Sequence, residues 1–86
     1  MRWFRFLVTS SDGLRRSIAR VWINERDLDA AGIEARSHLR GLGWEIEVVE
    51  RSMLPSTEEI SRLEPMQADA HRNALADGVY AYFARR

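Results

Sequence analysis

The chain contains no cysteine. That excludes a disulfide scaffold, thiolate metal sites and a cysteine nucleophile. It also contains no lysine; every one of its basic residues is an arginine. Lysine-dependent chemistry such as Schiff-base formation is therefore absent. Base composition of the coding sequence is the simplest source of an arginine-only cation set, and the alternative is a need for planar, bidentate, stackable cations. No apolar run is long enough to span a bilayer. The opening MRWFRFLV carries Arg5 within it and lacks a small-residue cleavage site, so it does not read as a signal peptide. The expectation is a soluble, cytoplasmic protein with no membrane partner. There is no glycine-rich phosphate loop either, because none of the five glycines precedes a Lys-Ser/Thr pair.

What remains is an ordinary globular composition, 45% hydrophobic and 30% charged over 86 residues. That length suits a single domain, residues 1–86, with a thin core: such a chain buries roughly 60–65% of its unfolded surface. Net charge is zero, but its distribution is uneven. Residues 1–26 carry six Arg against Asp12 and Glu25, a net of +4. Residues 27–69 carry four Arg against ten acids, a net of −6, and residues 70–86 return to +2.

The best-determined stretch is Asp27 to Trp44. Leu28, Ala31, Gly32, Ala35, Leu39 and Leu42 recur at the spacing of one helical stripe. Asp27 suits the N-cap, since its carboxylate can accept from free N–H groups of the first turn. Gly43 suits the left-handed residue that closes a Schellman motif, with Trp44 folding back onto Leu39. The small residues on the stripe let a sheet approach closely.

Two strands precede this helix, residues 2–9 (RWFRFLVT) and 15–24 (RRSIARVWIN). An Asp12-Gly13 turn between them predicts a hairpin whose partners sum to 25. Phe4, Phe6, Val8, Ala19 and Val21 then form an apolar face for the helix. The opposite face places Trp3 against Trp22, Arg5 against Arg20 and Leu7 against Ile18. Like charges directly opposite one another are unfavourable. A third strand, Trp44 to Arg51, lying antiparallel beside the first would put Arg5 between Arg20 and a Glu. Its Trp44, Ile46 and Val48 would face the helix, and Glu45 and Glu47 the other side. The sheet order is then 2-1-3.

Beyond it, Ser56 and Glu59 form a capping box, and Pro65 suits the first residue of a further helix. That helix is expected to run from about Met66 to Phe83, with Ala68, Leu75, Val79 and Phe83 on one stripe and Arg85 and Arg86 at its C-terminus. The predicted fold is thus α+β: a three-stranded, mostly antiparallel sheet in a ββαβαα topology, as two layers or an α/β/α sandwich.

No catalytic constellation is complete. His38 and His71 would have to converge with carboxylates to hold a metal, and nothing in the spacing requires it. Ser10 and Ser11 are turn residues without a nucleophile-elbow pattern. Glu45, Glu47 and Glu50 read as a solvated face; Glu50 points away from Glu47 unless a bulge intervenes. No catalytic residue, cofactor or metal ligand is assigned. The feature that exceeds ordinary packing is the face made by Trp3, Arg5, Leu7, Ile18, Arg20 and Trp22. An apolar patch of this kind calls for cover, by the last helix, a second copy or a ligand. The expected function is a small non-catalytic module that binds another protein or itself. The alternatives are single-stranded nucleic-acid binding on the Trp/Arg face and an unrecognised enzyme or enzyme subunit.

Overall fold

The structure, a computed structural model, describes residues 1–84. Its centre is the hairpin of β1 (Arg2–Ser10) and β2 (Arg16–Ile23). The pairing sums to 25 throughout, with Trp3 on Trp22, Phe4 on Val21 and Arg5 on Arg20. The turn is wider than a two-residue loop. Ser10 N–H donates to the Arg15 carbonyl, and Gly13 N–H returns to the Ser10 carbonyl. Gly13 takes φ 76, which glycine adopts without steric cost. A four-residue loop over 11–14 has the same midpoint as the expected two-residue one, so the register is preserved. The Asp12 carboxylate accepts from the Ser10 hydroxyl and the Leu14 N–H, and these bonds hold its carboxyl below the usual range.

Helix α1 (Leu28–Gly41) starts at Asp27, whose side chain accepts from Ala30 N–H. It ends as Gly43 turns left-handed at φ 89 and donates to the Arg40 carbonyl. Trp44 packs against the cluster that holds Leu39, and its ring also stacks on Phe83 with centroids 5.4 Å apart. Ala31, Ala35 and Leu39 are buried on Phe4, Phe6, Val8, Ala19, Val21 and Ile23. Leu28 and Leu42, at the ends of the expected stripe, remain half exposed.

Strand β3 (Trp44–Met53) lies antiparallel beside β1, as the 2-1-3 order required. Two bulges interrupt it. Arg5 pairs with Arg51 but Phe6 with Val49, and Leu7 pairs with Val48 but Val8 with Ile46. Glu50 and Glu47 are therefore the extra residues. Each bulge reverses the alternation of side chains. Val48 consequently faces away from α1, contrary to the simple alternation, and Val49 takes the inward place opposite Phe6.

The sheet has four strands, not three. After the short α2 (Thr57–Ser61), opened by the Ser56/Glu59 capping box, α3 runs only over Pro65–Asp77. Gly78 at φ 88 stops it, and β4 (Val79–Ala84) joins β2 antiparallel, giving the order β3-β1-β2-β4. The expected long helix to Phe83 is thus overturned, and the topology is ββαβααβ. Val79 and Phe83 are four residues apart, a spacing that fits one face of a helix and one face of a strand equally. Branched and aromatic residues after a left-handed glycine decide for the strand. The expectation for Arg85 and Arg86 lies outside the described residues. Helix α3 packs on the second sheet face, so the layers are α/β/α.

Candidate functional site

Both early indoles emerge on the side of the sheet away from Leu39, with centroids 6.4 Å apart. They are not surface groups. Ala70 and Ala74 of α3 press onto them, and Trp3 and Trp22 keep only 8% and 2% of their exposure. The ring of His71 meets Trp22 edge-on at 5.3 Å. Burial holds the His71 imidazole below its ordinary pKa. Alanine at both positions, one helical turn apart, lets the α3 backbone come down over two large rings. That spacing was visible in the sequence and was outweighed by the stripe through Leu75 and Val79.

The other four residues of the expected face, Arg5, Leu7, Ile18 and Arg20, are half-buried beyond the reach of Ala70 and Ala74. Register places them in two rows across the strands. One row is Val48, Leu7, Ile18 and Ala84, and the next is Arg51, Arg5, Arg20 and Tyr82. Three guanidinium-bearing residues therefore stand abreast. Their near carboxylate is the bulge residue Glu50, whose Oε1 lies 3.6 Å from Arg5 Nε. That is too long for a hydrogen bond, and Arg5 Nε is buried without a hydrogen-bond partner. The other bulge residue, Glu47, pairs with Arg16 at 3.2 Å. Alternation from Trp44 already puts Arg51 on this face; the two bulges, whose reversals cancel there, move it from opposite Trp3 to opposite Arg5.

At the far end of the row, burial pushes the Tyr82 hydroxyl above its usual pKa against the nearby charge of Arg20. Gln67, in the first turn of α3, lies against that hydroxyl. Trp3 Nε1 is also beside it, without a well-formed bond.

The two edges of the sheet differ as well. β3 is ten residues long, carries Glu45, Glu47, Glu50 and Arg51, and is bent by two bulges. These are devices that blunt an edge against pairing. β4 reads VYAYFA, with no charge, proline or bulge. Asn24 N–H donates to the Gly78 carbonyl, which sets the phase of the β2–β4 ladder. The N–H and C=O groups of Tyr80 and Tyr82 then point to β2, and those of Val79, Ala81 and Phe83 point to the open edge. Beside this edge, below α1, lies a shallow recess lined by Ala30, Ile33, His38 and Val79. Ile33 is 72% exposed there.

The two histidines lie on opposite sides of the sheet, His38 on α1 and His71 on α3. Among the described residues, no three His, Asp or Glu side chains gather as a metal site would require. No described helix is long and apolar enough to cross a membrane. No protein family, curated protein or solved structure matches the chain.

Proposed function

We propose that this chain is a self-associating module that pairs two copies along β4. The observation that carries this reading is the contrast between the edges: β3 is bulged and charged, whereas β4 offers an unmodified ladder. A bare apolar edge strand is a template for another strand. The outward groups suit a second copy in particular. A two-fold axis through Ala81 sets Val79 of one copy against Phe83 of the other and Ala81 against Ala81. Each of these is a hydrogen-bonded pair, because all three residues present their main chain to the open side. Tyr80 then meets Tyr82 across the axis, and the two sheets join into one of eight strands. The recess that borders this seam combines apolar Ala30, Ile33 and Val79 with Glu34, Ser37 and His38.

The nucleic-acid alternative needed Trp3 and Trp22 as open stacking platforms, and both lie under α3. Light scattering at micromolar concentration tests the pairing. The unchanged chain is expected to give twice the monomer mass, and Ala81→Pro to give the monomer. Proline removes an N–H that serves no bond within the chain, so the fold is retained. Phe83→Lys, which puts a charge on the same edge, is a second variant with the same expected outcome. A chain that stays monomeric at high micromolar concentration overturns the proposal.

A further inference from the structure

We infer that the row Arg51, Arg5 and Arg20 on the outer sheet face is a binding site for a linear polyphosphate group. This site is separate from the β4 edge and stands or falls without it. Adjacent strands lie ~4.8 Å apart, so the three side chains start from points at regular spacing along a line of ~10 Å. Their register is fixed: Arg5 pairs with Arg20 on one side and with Arg51 on the other. Directly opposed like charges oppose pairing, and this sheet holds two such pairs in succession. Among the described residues, Glu50 is the carboxylate paired with this row, 3.6 Å from Arg5 Nε. Arg5 Nε is left buried and without a hydrogen-bond acceptor. The cluster is thus under-neutralised in a place where the sheet itself gains nothing from it.

A ligand that neutralises the row must carry several negative oxygens at strand spacing and reach the exposed part of each guanidinium, because Arg5 Nε itself is buried. Guanidinium groups are planar forks that grip phosphate oxygens bidentately. One phosphate group engages two neighbouring forks, whereas a chain of phosphates engages all three. Gln67 belongs to the first turn of α3, a helix whose Glu64 N-cap makes no side-chain capping bond. Its uncapped N–H groups and dipole favour an anion on that side. Glu47 on the neighbouring strand is paired with Arg16, and Glu50 is the carboxylate that opposes an anion on the row. The Leu7, Ile18 and Val48 row forms an apolar shelf beside the arginines, with Val48 49% exposed. A polyphosphate alone and the polyphosphate arm of a nucleotide share the chemistry that these residues recognise.

Isothermal titration calorimetry with sodium tripolyphosphate in 150 mM salt, about one Debye length of 8 Å, tests the site. The expected result is saturable binding, weakened at least tenfold in Arg5→Gln. Glu50→Gln is expected to tighten it severalfold by removing the competing carboxylate. Arg62→Gln, on α2 and paired with Glu58, is expected to leave it unchanged. Arg5→Gln should keep or raise the melting temperature, because it relieves two like-charge pairings. Should that variant fail to fold, Arg51→Gln on the exposed edge strand carries the same expectation. A nucleoside triphosphate that binds through the same arginines assigns the site to a nucleotide's arm; tripolyphosphate binding at equal strength assigns it to the polyphosphate alone. Orthophosphate binding as tightly as tripolyphosphate overturns the proposal, as does equal loss in Arg62→Gln. Binding of a single-stranded oligonucleotide without tripolyphosphate binding overturns it too.

Discussion

The two faces of this sheet are built from the same strands, by alternation, and are put to different ends. The inner face is largely apolar: Phe4, Phe6, Val8, Ala19, Val21 and Ile23 lie under Ala31, Ala35 and Leu39, with Ser17 opposite Val8 and Ser52 opposite Phe4. The outer face is divided. Its lower half buries Trp3 and Trp22 under Ala70 and Ala74, and its upper half keeps three arginines abreast. Hydrophobic burial accounts for most of the inner face and for half of the outer one. The arginine row lies outside that account, since folding alone favours removing it.

The sharpest way to break this comparison is to empty each core in turn. Trp22→Ala should cost about 3–5 kcal/mol, as for other large aromatics cut from a core. Its ring is fully buried and touches His71. A denaturation curve showing less than about 1 kcal/mol would mean that α3 does not seat on the sheet. Leu39→Ala should cost about 2–4 kcal/mol, because its side chain sits in the middle of the inner cluster. If Leu39→Ala proves far more damaging than Trp22→Ala, the outer half-core is an accessory to folding. If the two are comparable, the domain has two cores divided by one sheet.

The first half of the chain was more legible than the second, for a physical reason. The hairpin register depends on the midpoint of a turn, and Asp12-Gly13 marks that midpoint whether the loop has two residues or four. The α1 boundaries depend on Asp27 and Gly43, which act locally. In β3, by contrast, each bulge inverts the facing of all later residues, and nothing near Glu47 or Glu50 announces it. Alternation alone therefore turns Glu50 away from Glu47 unless a bulge intervenes, as it does, and sets Arg51 opposite Trp3 instead of Arg5. The far end failed through an ambiguity of period. Spacing by four fits both a helix and a strand, so Leu75, Val79 and Phe83 looked continuous across Gly78. The candidate face was half legible: both indoles do emerge together, but the helix that covers them was assigned the wrong stripe. Ala70 and Ala74, being small, carry little hydrophobic signal while permitting the closest packing.

The smallest effect separates the faces by pH. His71 is the titratable group set against the outer core, edge-on to Trp22, and burial lowers its pKa from the ordinary 6.5. Below pH 6.5 the unfolded chain therefore takes up a proton that the folded chain resists. The contribution is fully present above that value and is lost as pH falls through the folded-state pKa. Thermal melts should be flat between pH 7 and 8 on this account and should begin to fall as pH drops below 6.5. His71→Gln should flatten that step while keeping the ring's place against Trp22 filled. An unchanged step in the variant would assign it elsewhere and would leave the outer core without a pH-sensitive contact. A flattened step would assign the pH dependence to the His71 imidazole at its edge-on contact with Trp22.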